Sequence, residues 1–270
     1  MGKPFAVEIT DHVATLWLDN ADRRNAMGPD FWSDLPVVVR DLDADDDVRA
    51  VVVAARGPHF SVGLDLVAMG GQLGPLLAGG LAADRRKLFK LVHEMRSGFD
   101  RIAESNKPFV CAIHGACIGG GLDLAAACDI RLATADAKIS LRETKIAIVA
   151  DMGSLQRLVP IIGAGHLREL AFTGKDISGA RAKEIGLVND TFANHETLVA
   201  AARAMAREIA DNAPLTVQGV KEVLRFGERH GAEAGMRFVA SWNAAELASK
   251  DLMEAMTAFA EKRPARFRGE

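Results

Sequence analysis

Between Lys107 and Leu158 an apolar run, Phe109–His114, meets glycines at 115, 119, 120 and 121 and passes at once into a helix-like run, Gly119–Ala127. A continuous apolar strand of this kind is buried on both faces, which requires helices on both sides of a largely parallel sheet. A second such run, Ala50–Ala55, is β-branched and apolar throughout, is stopped by Arg56-Gly57-Pro58, and leads into another glycine turn, His59-Phe60-Ser61-Val62-Gly63-Leu64-Asp65-Leu66. Two strand–turn–helix units in one chain point to an α/β fold.

The rest of the pattern agrees. Phe5–Thr10 and His12–Leu18 read as a hairpin around Asp11, and Pro29–Leu42 as a helix. Gly70–Gly80 is rich in glycine, with leucines and a proline, and reads as a mobile loop beside a site. Leu81–Asn106 has a helical period. Ile130–Ala133 and Lys138–Leu141 read as short strands, and Ser178 as the cap of a helix reaching Ile185. From His195 onward only helical periodicity remains, in segments separated by Pro or Gly. The expected organisation is an α/β core over residues 1–194 and a helical region over 195–270.

Composition narrows the function. With 270 residues and 49% hydrophobic content the chain can build a sizeable core, and disorder is excluded. A formal net charge of −3 gives no global attraction to nucleic acid or anionic membrane. Three cysteines, Cys111, Cys117 and Cys128, without a CxxC pair, indicate reduced thiols and no zinc site. MGKPFAVEIT lacks a signal-peptide core, so a cytoplasmic setting is expected.

The glycine turns are the first candidate chemistry. A strand-to-helix turn leaves backbone N–H groups without helical partners, and these can hold a developing negative oxygen. The spacing is neither GxGxxG nor GxxxxGK[ST], so a dinucleotide or P-loop reading fails. Taken alone, tight turns without a ligand explain these glycines equally well. Three acids follow: Asp123, Glu143 and Asp151. Each has a bland reading: a helix-start acid for Asp123, an ion-paired polar loop for Glu143, a helix cap for Asp151. His114 reads as a packed histidine, His59 as exposed, and Asp129-Ile130-Arg131 as structural.

FSVGLDL, followed about fifty residues later by KPFVCAIHGACIGGGLDLAAACDIRLA, resembles the crotonase superfamily, the enoyl-CoA hydratase/isomerase fold; LAFTGKDISGARAKEIGLVN extends the resemblance along nearly the whole chain. It implies a ββα spiral core with a helical C-terminal region. The implied substrate is an acyl-CoA thioester, as in fatty-acid β-oxidation, with the carbonyl held by the N–H groups of Leu64 and Gly120. Acidic residues at 123, 143 and 151, with Ser241-Trp242-Asn243 and Asp251-Leu252, resemble the Δ3,5-Δ2,4-dienoyl-CoA isomerases. In that reading Asp151 takes a proton from C2, Glu143 gives one to C6, and Asp123 is an electrostatic or orienting partner. Arg24 and Ala26 fall where the family approaches CoA, and Lys262 and Arg263 where a neighbour's CoA could be reached. The resemblance implies homotrimers or hexamers, and no metal or redox cofactor. The runner-up is an enoyl-CoA hydratase, against which the shorter Asp123 and the added Asp151 speak. A non-catalytic acyl-CoA-binding subunit is the alternative outside enzymes.

Overall fold

A computed structural model describes residues 3–270 of the chain. The N-terminal hairpin is β1 (Phe5–Thr10) and β2 (Val13–Leu18), followed by α1 (Pro29–Ala44) and β3 (Ala50–Ala55). Then come α2 (Leu66–Ala78), α3 (Ala82–Glu104), β4 (Phe109–Ile113), β5 (Ala116–Ile118), α4 (Gly120–Ala127), β6 (Ile130–Thr134) and β7 (Lys138–Ser140). The chain continues through α5 (Ser154–Arg157), α6 (Val159–Thr173), β8 (Ile177–Ser178), α7 (Gly179–Glu184), β9 (Asp190–Phe192) and α8 (His195–Ala210). Three helices end it: α9 (Pro214–His230), α10 (Ala232–Glu246) and α11 (Lys250–Glu261).

The main sheet has the order β1-β2-β3-β4-β6-β9, antiparallel only at the β1–β2 hairpin. A small second sheet, β5-β7-β8, stands after the glycine turn. The alternation of side chains sorts the strands into two cores. Val51, Val53 and Ala55 of β3, with Phe109, Cys111 and Ile113 of β4, face α1, α3 and α4. Val52 and Ala54, with Val110 and Ala112, face the opposite side. That side is covered by α8, whose Leu198, Ala202, Ala206 and Ala210 recur at helical spacing and lie on the sheet.

Two expectations need correction. Gly70–Gly80 is no loop up to its last two residues, because α2 runs through Ala78. Asp65 caps it by accepting the Ala68 N–H at 2.9 Å, and Met69 is buried against the core. Capping and tertiary burial outweigh glycine's helix cost of about 1 kcal/mol per residue. The division at 194/195 also shifts, since α8 completes the sheet's second core, so the helices that stand outside begin with α9. Their sequence period is the same as that of α8; only contact with the sheet separates them.

The C-terminal helices are joined by close packing. Phe226 and Phe238 stack at 4.3 Å between α9 and α10, and Trp242 lies where a Cβ on Gly219 would be 2.4 Å from its Nε1. Asp251 accepts the N–H groups of Arg268 and Gly269, each at 2.8 Å, which clasps the tail to α11. Trp242 and Asp251, read as a family signature, therefore do structural work here. Among the described residues no helix is long and apolar enough to cross a membrane.

Phe99 of α3 is fully buried and meets Trp32 and Phe31 edge-on, at 5.6 and 6.3 Å between ring centroids. Phe99→Ala is expected to cost about 3–5 kcal/mol, read from denaturant unfolding, because the α1–α3 contact cannot close over the void. A loss below about 1 kcal/mol would show that the layer is not packed as described.

Candidate active site

Gly63 and Gly119, with φ of +82° and +52°, turn the chain sharply after their strands. The two turns are bonded to each other: Ser61 N–H donates to Ala116 O at 2.9 Å and Ile118 N–H to Ser61 O at 3.0 Å. The approach is so close that a Cβ on Gly63 would lie 2.6 Å from Ile118 O, and one on Gly121 2.9 Å from Ser61 O. Only glycine permits this contact. The N–H groups of Leu64 and Gly120 are thereby brought side by side, and among the described residues neither has a hydrogen-bond partner in the protein. Gly120 opens α4, so its N–H also carries the positive end of a helix.

Asn25 fixes the first turn from outside, a role not visible in the sequence. It is buried with φ of +54°. Its side-chain amide donates to Arg56 O and His59 O at 3.0 and 2.8 Å, and its backbone carbonyl accepts Ser61 Oγ–H at 2.7 Å. Met27 N–H then donates to Gly63 O at 2.8 Å. This places Arg24 and Ala26 on the segment beside Leu64, with Arg24 exposed. Arg23 is bound to Asp65 at 2.8 Å.

The three carboxyls lie at different depths. Asp123, on α4, is buried at 1% exposure and accepts the Ser154 N–H at 2.8 Å, so it satisfies the first amide of α5. The Ser154 hydroxyl lies beside it without hydrogen-bond geometry. Burial pushes the Asp123 carboxyl up to about 6, against the opposing pull of Ser154, and the charge of Asp151 raises it further. Glu143 begins a short 3-10 turn and is half-buried. A Cβ on Gly119 would lie 3.0 Å from its Oε1, so its carboxyl stands over the second glycine turn. Its Oε2 is buried and has no partner among the described residues. Burial first, then the charge of Asp123, pushes Glu143 up to about 7. The turn is tied down by Thr144 Oγ–H to Ala171 O at 3.0 Å and by an Arg142–Asp176 ion pair.

Asp151 is the shallowest of the three. It is exposed, at the rim, while its inner side is walled off enough for burial to push its carboxyl up. It caps no helix, since the N-cap of α5 is Gly153. It is near enough for its charge to raise both Asp123 and Glu143. The solvated ion pair read for Glu143 is absent: its run is polar in sequence, but this side chain turns inward.

The other candidates are structural. His114 is packed, with Nε2 bonded to Gly57 O at 2.8 Å and its ring stacked on His195; burial lowers it to about 4. His59 is half-buried rather than exposed, and its Nδ1 accepts the Ala116 N–H at 3.2 Å. Arg131 donates to the carbonyls of Leu187 and Cys128, at 2.9 and 2.6 Å. Asp129 pairs instead with Lys221 at 2.8 Å. Arg263 is bound to Glu254 and Glu261, each at 2.6 Å. The three cysteines are buried free thiols. Among the described residues no cluster of potential ligands fits a metal ion.

A sequence profile described as enoyl-CoA hydratase/isomerase matches residues 8–270. The chain is 41% identical to the mitochondrial Δ(3,5)-Δ(2,4)-dienoyl-CoA isomerase of Dictyostelium discoideum, over 93% of this chain and 86% of that one. It is 38% identical to the peroxisomal Δ(3,5)-Δ(2,4)-dienoyl-CoA isomerase of Arabidopsis thaliana, over 93% and 91%. The crystal structure of an enoyl-CoA hydratase from Bacillus anthracis superposes with a TM-score of 0.90 at 29% identity, covering 99% of this chain and 100% of that one. The crotonase fold that the family resemblance implied is the fold observed.

A carboxyl held above its solution value favours folding at low pH, and that advantage is lost as pH rises through the raised value. Glu143 is such a group, raised from 4.5 to about 7. Glu143→Gln, which does not titrate, should therefore match the parent near pH 4 and melt about 2–4 °C higher at pH 8, the shift expected for about 1 kcal/mol in a domain of this size. An offset that stays constant between those pH values would show that Glu143 is not held neutral by its surroundings.

Proposed function

This chain belongs to the enoyl-CoA hydratase/isomerase family, whose members act on acyl-CoA thioesters, and we propose that it isomerises a 3,5-dienoyl-CoA to a 2,4-dienoyl-CoA. The observation that carries the reading is a pair of unpartnered amides with the half-buried Glu143 carboxyl standing over the Gly119 turn and the exposed Asp151 near enough for its charge to raise it. The thioester oxygen is held by the N–H groups of Leu64 and Gly120. Asp151 removes a proton from C2, negative charge collects on that oxygen, and Glu143 delivers a proton to C6. One preorganised donor of this kind is typically worth about 2.7–4 kcal/mol of barrier.

The protonation states suit these roles. Glu143 lies near neutrality in its titration, so much of it carries the proton it must give. Asp151 stands in contact with solvent, where the proton it takes can be returned to water. Asp123, deeper and bonded to Ser154, acts as the orienting and electrostatic partner that keeps Glu143 protonated. The reaction moves protons and no net electrons, so this route calls for neither a metal nor a redox cofactor. Arg24 and Ala26 lie on the side where CoA approaches.

Homotrimers or hexamers are what the family resemblance implies, and the apolar side chains that α11 leaves open, Phe259 at 87% exposure with Met253 and Met256 beside it, support an interface of some kind. Its free thiols suit a reducing compartment, and we place it in the cytoplasm, although the two isomerases above are named mitochondrial and peroxisomal.

The test is to supply a 3,5-dienoyl-CoA and follow the ultraviolet absorbance of the conjugated product. Asp151→Asn and Glu143→Gln should each lower kcat by about 10²–10⁴-fold with little change in KM. In the parent, kcat/KM should fall as pH rises through about 7, where Glu143 loses its proton, and fall again on the acid side as Asp151 gains one. Hydration of crotonyl-CoA far faster than isomerisation would make the chain a hydratase. Tight acyl-CoA binding without turnover of any unsaturated thioester would make it a non-catalytic subunit.

A further inference from the structure

Arg157 has no part in the proton transfers, yet its guanidinium is built into the wall behind them. Nη1 donates to Met152 O at 3.0 Å and Nη2 to Asp100 Oδ1 at 2.6 Å. The second oxygen of Asp100 accepts from Arg96 Nε at 2.8 Å, one helical turn back on α3. Asp100 is thus shared by two arginines, one from α3 and one from α5. The guanidinium of Arg157 lies folded over Gly153, where a Cβ would be 2.1 Å from Nη1. Gly153 has φ of +115° and carries no side chain to displace it.

The four residues under this clamp are Asp151, Met152, Gly153 and Ser154. The carbonyl of Met152 is held by Arg157, and two residues later the N–H of Ser154 meets Asp123 at 2.8 Å. Asp151 is the immediate neighbour of Met152 on the other side. One backbone segment therefore carries one carboxyl and holds another, and a single ion triad fixes that segment to α3. A planar guanidinium donating in two directions sets an orientation that a point charge cannot.

We propose that Arg157, with Asp100 and Arg96, is a positioning device for the proton-transfer site, setting the separation of Asp151 from Asp123 by fixing the turn between them. The catalytic half of this inference rests on the isomerase reading; the geometric half does not. The charged and titratable groups facing the site are known from each side. Asp123 faces Asp151, Arg157 and Cys117; Asp151 faces Arg96; Glu143 faces Asp123 and Asp151. The arginines lower the carboxyls they face, which opposes burial.

The variants are Arg157→Met, Arg157→Lys and Asp100→Asn, the last nearly isosteric and the safer for folding. Hydrogen exchange of the Ser154 amide should quicken at least about 10-fold in Arg157→Met and Asp100→Asn, since the turn that aims it is released. With a 3,5-dienoyl-CoA, kcat should fall about 10–100-fold in both while KM stays within about 3-fold, the pattern of displaced groups rather than lost binding. The alkaline limb of the kcat profile should move to lower pH in Arg157→Met, because Asp123 loses the cation that faces it, holds its proton longer and so raises Glu143 less, and Arg157→Lys should return it toward the parent. Unchanged exchange at Ser154 overturns the inference, as does a fall in kcat with an unmoved pH limb that lysine does not restore. If the parent turns over no diene, the isomerase reading fails by itself; faster exchange at Ser154 then still supports the positioning of Asp123, and unchanged exchange rejects it.

Discussion

Two tight turns, 61–65 and 117–121, touch backbone to backbone, and the rest of the site depends on that contact. Ser61 donates to Ala116 O and accepts from Ile118 N–H across it, and Gly63 and Gly121 leave no room for a side chain between the two segments. The cost is the chain entropy glycine gives up on folding and amides at Leu64 and Gly120 left without protein partners. An unpaired amide in such a place is expensive unless a ligand oxygen takes it. The parallel strands behind the turns make the arrangement rigid, since β3 and β4 are neighbours buried on both faces and deliver both turns to the same edge.

The carboxyls reflect the same economy of water. Asp123 gives up solvent almost wholly and is answered by one amide, that of Ser154. Glu143 keeps an unpartnered buried oxygen, which is tolerable only if the group spends much of its time protonated. Asp151 retains contact with solvent. Burial raises all three, the Ser154 amide holds Asp123 back and the Asp123 charge lifts Glu143 further, and a reaction that needs one base and one acid needs such a separation. The Arg96–Asp100–Arg157 triad sits behind the gradient, tying α5 to α3 with the turn 151–154 between them.

The α/β strands and the two glycine turns were legible because each has a local cause, and the crotonase fold through the family resemblance that those motifs carry. A β-branched apolar run makes a strand buried on both faces, and glycine at 63 and 119 allows the positive φ that ends it. The three acids were legible as candidates because they follow the glycine turns and match the acids of the family those motifs resemble. Asn25, Arg157 and the Ser154 amide were not, because their partners lie 31 to 57 residues away and no local period marks them. The glycine-rich segment after Asp65 was misread for the same reason: its helix is held by a cap and by Met69 reaching the core, neither of which composition records.

The sequence by itself determined which residues form strands, where the chain turns, and that acids accompany the glycine turns, since these follow from side-chain period and from the steric freedom of glycine. Only the tertiary structure decided how deep each carboxyl lies, that Asp151 stays at the rim while Glu143 turns inward, and that α8 belongs to the sheet while α9 to α11 stand apart. Burial and the field of distant charges are properties of packing, and a linear order of residues contains neither until the chain has closed on itself.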